Sequence, residues 1–582
     1  MKRVWMALVA LEAVWIAMLV QRGAGLAVDE IEFFRATRWI GLGQVPFRDF
    51  WEHHTPLQWI AFAPFARLFS NGPGAASIVA LRWVQMAVWI GIVALLLRIA
   101  RREGVRGWSA LALLLVSAVF TRRAVEYRLD VLANLAYIAA IALVLFGATR
   151  SRWIACGALL SLSVLTNMRF VLLVVLTAAL LLFWRPEERR WRLNLQALWM
   201  AAGVAPVAAA FIGWLMAAGA WEPFRKTIFE YNVGAARFLQ PPTLLDAMLA
   251  PLWLLDIGGM AYSIAAIAGV VIALRGVRTP GALQFVALLF IASAIAVAAL
   301  NVQYDYHLQN AWLLALPLVA LAIEQLRLAW QRMAAIVAAV SLSVFAMQVL
   351  PAFGAEMEYQ DAVMTTADRM TRPGERVWDG AGYVLRREPA YRYWFLPSSV
   401  RMMAAARALP PYDLRAIATN PPAAIVADYR LRLYLQNFPD VTRFATRHYV
   451  PLLRNLWVPG LAVEIGPQPA RVQWIAPRAG QYDVYASAAA AGHPWFRVPL
   501  RFADSATSER FAIPLKQLPP LGSGTLRWRV DGVAQPENVD MLTLRRGAKV
   551  ELEATPGVAA GVFLVPHGVD TLCLTPAEPF LF

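Results

Sequence analysis

Apolar residues in this chain fall in long uninterrupted runs, not in the two-residue alternation of an exposed sheet. Eleven runs stand out, at 4–20, 76–97, 108–121, 131–148, 153–166, 170–184, 195–218, about 257–274, 281–300, 308–323 and 333–350. Each reads as a membrane-spanning helix, although several fall short of the roughly 20 residues that a span usually needs. Residues 153–184 admit two readings: one long helix, or two short helices broken at Asn167-Met168-Arg169. The break is preferred because it keeps the basic clusters on one side. These are Lys2/Arg3, Arg98/Arg101/Arg102/Arg106, Arg150/Arg152, Arg185/Arg189/Arg190/Arg192, Arg275/Arg278 and Arg327/Arg332. The positive-inside rule makes that side cytoplasmic, so the N-terminus lies inside and everything after 350 outside.

The outward segments are then 21–75, 122–130, 167–169, about 219–256 and 301–307. In the first, Ile31, Phe34 and Trp39 share one helical face, which predicts a helix lying in the membrane interface. The aromatic-rich stretch 221–245 is read the same way. After Pro351 the pattern changes. Residues 352–466 read as a mixed α/β domain, with a helix at 362–370 and a buried strand at 423–428. Residues 467–582 read as a β-sandwich built from RVQWIAP, GQYDVYAS, FRVPLRFA, GTLRWRV, DMLTLRR, KVELEA and GVFLVP, separated by Gly, Pro and Asp turns. The expected division is 1–351, 352–466 and 467–582. No internal repeat or low-complexity tract is evident.

Composition agrees with this pattern. Of 582 residues, 59% are hydrophobic and 16% charged, against about 25% charged in ordinary soluble domains; mean hydropathy is +0.52. Net charge is +16, almost all of it from Arg, with Lys only at 2, 226, 516 and 549. The Arg residues cluster at the ends of apolar runs, so topology accounts for them better than nucleic-acid binding does. Two cysteines, Cys156 and Cys573, argue against a disulfide framework or a Cys-based zinc site. The basic start and apolar run at 1–20 read as an uncleaved first helix; the alternative is a signal peptide cut after Ala27. Either places Asp29 just outside the membrane. Glu12 reads as a packing or cytoplasm-facing group.

Ionisable groups beside a bilayer are costly unless solvated or paired, so they mark function when they gather. Asp29-Glu30 follows the first run. The second outward segment carries Arg122, Arg123, Glu126, Arg128 and Asp130, and the last carries Tyr304, Asp305 and His307. Each group alone is ordinary loop chemistry, and Arg128 or Arg169 could simply snorkel to headgroups. All face the same side and are expected to converge over one cavity.

The order of these elements resembles the GT-C glycosyltransferases. The nearest branch is the bacterial family of lipopolysaccharide sugar transferases, protein mannosyltransferases and aminoarabinose transferases. The matching residues are Asp29-Glu30, Gly43-Gln-Val-Pro46-Phe-Arg48-Asp49-Phe50 and His53-His54-Thr-Pro56-Leu57. Family members often have His-Lys-Pro-Pro-Leu in the last element; here His54 replaces the Lys and Thr55 the first Pro. Tyr127-Arg128-Leu129-Asp130 resembles the family's Arg-Pro-Asp, with Leu129 for Pro, and Tyr304 to Pro317 resembles its aromatic-His element running into a helix. The layout matches over about residues 1–350.

The resemblance implies a bacterial inner-membrane enzyme that moves a sugar from a polyprenyl-phosphate donor to a lipid, glycan or protein acceptor, with inversion. A carboxylate would deprotonate the acceptor hydroxyl as general base. Asp29 is the first candidate and Glu30 the second; helical neighbours point about 100° apart, so one of them faces the cavity. Arg128, Arg169, His53 and, more weakly, Arg237 are the candidates for the phosphate. His54, Tyr304 and His307 complete the substrate-binding set. Asp130 could orient an Arg, bind sugar or join a metal site. No metal-spacing motif is present, so no metal is assigned, and a divalent cation stays open. The β-rich tail could bind glycan or serve as a stabilising or docking module. The rivals are a transporter or flippase of a lipid-linked sugar, and a non-catalytic envelope-assembly protein.

Overall fold

The structure is a computed structural model. It describes all residues except 24, 70, 71, 73, 186, 187, 189, 240–244, 246–248, 250–255, 276–280, 301–303, 498–509, 522–524, 538, 570, 571 and 576–582. The chain forms two compact units, Met1–Met357 and Glu358–Phe582.

In the first unit every one of the eleven runs lies on a helix. The described helices are α1 (Lys2–Met18), α2 (Val28–Gly41), α3 (Leu57–Phe69), α4 (Ala76–Arg102), α5 (Trp108–Leu115), α6 (Ala118–Val125), α7 (Leu129–Leu145), α8 (Arg150–Thr166), α9 (Phe170–Leu182), α10 (Trp199–Ala217), α11 (Trp221–Arg225), α12 (Asn232–Ala235), α13 (Ile257–Arg275), α14 (Ala282–Ala298), α15 (Gln309–Glu324) and α16 (Leu328–Val349). Among the described residues, six helical stretches are long and apolar enough to cross a membrane: Lys2–Arg22, Ala76–Arg102, Leu195–Ala217, Ile257–Arg275, Tyr306–Glu324 and Leu328–Met370. Helices α7, α9 and α14 are apolar but shorter. The chain does break after Thr166 and resumes at Phe170, where Asn167 closes the turn by accepting from the Arg169 amide at 3.1 Å.

Two expectations change. The run 108–121 is not one straight span: α5 and α6 meet at a 78° bend. Ser117 caps α6, accepting from the Phe120 amide at 3.3 Å. Asp256 reinforces the corner, accepting from the Ser117 hydroxyl at 2.7 Å and the Val119 amide at 3.0 Å. Arg122 and Arg123, expected in an outward loop, therefore sit on α6. The second change concerns α2. It was expected to lie in the interface with one apolar face, yet Glu30, Ile31, Glu32, Phe33, Phe34, Arg35, Ala36 and Thr37 are all buried. The helix is sunk into protein, because its charged residues find partners there.

Small residues set the closest helix contacts. A Cβ at Gly157 of α8 would come within 2.0 Å of the Met200 carbonyl, and one at Gly203 of α10 within 1.9 Å of the Ile154 carbonyl; membrane helices use this device to bring backbones together. A polar seam crosses the apolar core. Asn310 of α15 donates to Asn134 of α7 at 2.7 Å and accepts from Ser293 of α14 at 3.0 Å.

The second unit combines a mixed sheet with a two-sheet sandwich. The mixed sheet runs Ile513–Pro514, Cys573–Leu574, Tyr449–Leu452, Leu456–Pro459, Ile425–Val426, Arg376–Asp379, Glu388–Pro389. Arg376–Asp379 is parallel to both of its neighbours, and the other pairs are antiparallel. Helix Ala355–Met370 contains the expected 362–370 segment, and Ile425–Val426 is the expected buried strand. Cys573–Leu574, which follows the sandwich strands in sequence, joins this α/β sheet. The sandwich sheets are Met541–Leu544, Gly480–Ser487, Ala560–Pro566, Leu461–Ile465 and Val533–Ala534, Leu526–Val530, Lys549–Ala554, Ala470–Ile475. Alternate residues such as Leu526, Trp528, Val550, Leu552 and Trp474 fill the space between them. Six of the seven expected strand segments are strands. FRVPLRFA lies outside the described residues from 498 on, and its first two residues belong to a 3₁₀ turn.

Candidate active site

The first turn of α2 separates the two neighbouring carboxylates. Glu30 points inward and is fully buried. It accepts two hydrogen bonds from Arg82 of α4, both at 2.6 Å, and a third from the Tyr127 amide at 2.9 Å. Arg82 also donates to the Gly25 carbonyl at 2.8 Å. Such a bidentate buried pair ties α2 to α4. Asp29 has a different partner. Its side chain is 28% exposed, and its Oδ2 lies 3.5 Å from Nη1 of Arg128.

Arg128 precedes α7 and is the centre of the cluster. It is 2% exposed, so it is not snorkelling to solvent. It donates to Glu126 at 2.9 Å and to Asp130 at 3.3 Å. Its guanidinium stands 4.1 Å from the Tyr306 ring centroid. Two more cations share that ring, Arg123 at 5.5 Å and Arg169 at 5.7 Å. Gln85 of α4 holds the backbone here, accepting from the Arg128 amide at 2.9 Å and donating to the Glu126 carbonyl. Asn167 donates to Asp130 at 2.7 Å, which links the 167–169 turn to the same cluster. Asp130, Asn167, Arg169, His307 and Asn310 line a small pocket with Phe170, Leu173, Ala296 and Val297. His307 is nearly buried, and its Nδ1 accepts from the Tyr304 amide at 3.2 Å. Tyr304 is 40% exposed and stacks on Tyr306, 5.4 Å between centroids; it reaches the cluster through that ring.

The first loop supplies a second group of polar side chains. Phe50, Trp51 and Glu52 are buried, and Arg48 and Asp49 form a bidentate pair at 2.8 and 2.9 Å that braces the turn. Glu52 accepts from the His53 amide at 2.8 Å and lies 2.9 Å from the His54 ring. Burial alone would raise the Glu52 carboxyl; the hydrogen bonds from His53 and His54 outweigh it and hold the group below the usual carboxylate range. His53 stacks on Trp51 at 5.3 Å. Burial, followed by the neighbouring His54 charge, pushes His53 down to about 4, with Arg169 adding to the effect. His53 is thus a neutral ring at pH 7. His54 also faces Glu32 of α2 at 3.5 Å. Glu32, Glu52, His53 and His54 offer ligand atoms that all lie within 4.8 Å of one another.

The expected outward segments therefore meet. Asp29, Arg128, Asp130, Arg169, Tyr304 and His307 share one cluster, and His53 and His54 form a group beside it through Arg169. Glu30 belongs to a separate buried pair. Arg237 sits exposed in the turn after α12, away from these contacts. Arg82, Gln85 and Tyr306 are not among the residues expected from the sequence. Arg82 and Gln85 were visible as the polar interruptions of the 76–97 run, and Tyr306 stood between two residues already singled out.

No family profile and no curated protein matches the chain. Solved structures do. ArnT from Cupriavidus metallidurans in the apo state aligns with a TM-score of 0.54 at 13% identity, over 78% of this chain and 97% of that one. ArnT from the same organism bound to undecaprenyl phosphate aligns at 0.45 and 14% identity, over 94% and 97%. The Archaeoglobus fulgidus oligosaccharyltransferase tethered to an acceptor peptide aligns at 0.40 and 13% identity, over 77% and 72%. At that level of identity the likeness is one of fold: the chain shares the fold of the apo ArnT structure.

Proposed function

We propose that the protein transfers a sugar from a polyprenyl-phosphate carrier to a hydroxyl of a lipid, glycan or protein acceptor, at the outer face of a bacterial cytoplasmic membrane. The observation that carries this reading is the Asp29–Arg128 pair: a partly exposed carboxylate 3.5 Å from a buried guanidinium that is itself backed by an aromatic ring. A carboxylate beside a guanidinium suits the pairing of a base with an anion-stabilising group that displacement at an anomeric carbon needs.

Asp29 takes the proton of the acceptor hydroxyl as its oxygen forms a bond to the anomeric carbon. The bond from that carbon to the phosphate oxygen breaks, and the electron pair leaves with the lipid phosphate. Direct displacement inverts the anomeric centre. Arg128 and Arg169 balance the charge that builds on the leaving phosphate, while Glu126 and Asp130 hold Arg128 in place. The neutral His53 ring suits a hydrogen bond to sugar or phosphate better than a charge contact. The distribution of basic clusters supports a cytoplasmic N-terminus and an outward second unit.

The test is a reconstitution assay with individual polyprenyl-phosphate sugars and a mixed acceptor extract. Donor-dependent labelling of an acceptor, lost on Asp29→Asn, supports the reading. Movement of an intact lipid-linked sugar across the bilayer without transfer would support the transporter alternative instead.

A further inference from the structure

We infer that the protein binds one divalent transition-metal ion of the zinc class between Glu32, Glu52, His53 and His54. The four side chains come from two separate segments, α2 and the stretch just before α3, and the fold brings their ligand atoms within 4.8 Å of one another. Both carboxylates are buried, Glu32 at 2% and Glu52 at 0% exposure. His54 Nδ1 stands between them, 2.9 Å from Glu52 and 3.5 Å from Glu32, so the ligand atoms face one common point. Glu52 uses one oxygen for the amides of His53 and His54 and for the His54 ring. Its other oxygen, Oε2, is buried with no hydrogen-bond partner among the described residues.

The spacings fit a metal better than a hydrogen-bond network. His53 Nδ1 to Glu52 Oε1 and His54 Nδ1 to Glu32 Oε1 are both 3.5 Å. That is longer than a good hydrogen bond. It is close to the roughly 3.4 Å edge of a tetrahedron whose metal–ligand bonds are about 2.0–2.1 Å. The 2.9 Å contact between His54 and Glu52 would open slightly as the ion replaces the proton shared there. Two imidazoles and two carboxylates select zinc over magnesium or calcium, which prefer all-oxygen shells. The ion would pin the 52–54 segment to α2 one helical turn from Asp29. It would thereby fix the position of the proposed base, a consequence that rests on the glycosyl-transfer reading; the binding itself does not.

The test measures metal without any sugar donor, so its outcome is separate from the outcome of the transfer assay. The full chain is purified in detergent from zinc-supplemented cells, and zinc is counted by mass spectrometry. The expected result is about one zinc per chain, removed by a chelator and replaced by cobalt with the visible absorption of a four-coordinate nitrogen–oxygen site. Glu32→Gln and His54→Gln should each weaken retention by more than about tenfold. Asp483→Asn, in the second unit, where its carboxylate pairs with His567 and accepts from the Gly568 amide, should leave zinc unchanged. A monodisperse wild-type protein that holds no zinc and gives no cobalt spectrum on titration overturns the proposal, as does equal zinc content in wild type and both ligand variants. If a ligand variant fails to fold, the wild-type cobalt titration decides alone.

Discussion

Asp29 Oδ2 lies 3.5 Å from Arg128 Nη1, while its helical neighbour Glu30 is locked in a 2.6 Å pair with Arg82. One residue of separation thus assigns two carboxylates to different work. Asp29 keeps a partly exposed side chain beside Arg128, and Glu30 ties α2 to α4.

The stability cost of losing Glu30 follows directly. Glu30→Gln leaves the Arg82 guanidinium buried without a counter-charge, which costs about 3–5 kcal/mol. The variant should melt well below wild type in detergent, and Arg82→Met in the same background should recover part of the loss. Equal melting temperatures for wild type and Glu30→Gln would remove the structural role given to this pair.

Tyr306 predicts a different signature. Its ring faces Arg128 at 4.1 Å and shares Arg123 and Arg169. Tyr306→Phe keeps the π face and should change turnover little. Tyr306→Leu removes it, at about 0.5–2 kcal/mol for the principal cation, and should raise KM for the donor more than it lowers kcat. Kinetics of the two variants against one donor check this; an equal loss in both would point to the hydroxyl instead.

Helix packing can be probed independently of catalysis. Gly203 has no room for a Cβ, whereas a Cβ at Gly213 on the same helix meets nothing within 4 Å. Gly203→Ala should destabilise the first unit by about 1–3 kcal/mol through overpacking, and Gly213→Ala should not. Thermal melts of the pair give the comparison, and equal shifts would contradict the close approach of α8 and α10.

The second unit carries a pH signature. Asp428 caps helix Tyr429–Gln436 by accepting from the Leu431 amide at 2.7 Å. Burial pushes its carboxyl up to about 7 against that hydrogen bond, and the Asp379 charge adds to the rise. The folded unit therefore keeps a proton that the unfolded chain, with an ordinary Asp value of about 3.8, has released. The stability from this proton is present below about pH 4 and lost as pH rises through about 7. Denaturation of the full chain, followed by the tryptophans of this unit, should show falling stability from pH 5 to 8. Asp428→Asn should flatten that slope while keeping the cap; an unchanged slope would remove Asp428 as its source.

The sequence revealed what local composition can encode. Apolar runs located the helices, and the polar trio Asn167-Met168-Arg169 located the break between α8 and α9. The DE pair, Arg128, Asp130 and His307 were identifiable because charge beside an apolar run is conspicuous. Features made by distant partners were not. The bend between α5 and α6 depends on Asp256 reaching Ser117 across 139 residues. The division of labour between Asp29 and Glu30 depends on Arg82, 52 residues further on. The burial of α2 likewise reflects partners that no helical wheel displays.

The central claim is that Asp29 is the base of a glycosyl transfer. Its most direct test is single-turnover transfer from a polyprenyl-phosphate sugar in proteoliposomes, comparing wild type with Asp29→Asn at matched protein content and donor saturation. The account predicts that the variant stays folded, binds donor with near wild-type affinity and transfers sugar about 10²–10⁴-fold more slowly. Transfer at the wild-type rate by Asp29→Asn would contradict it.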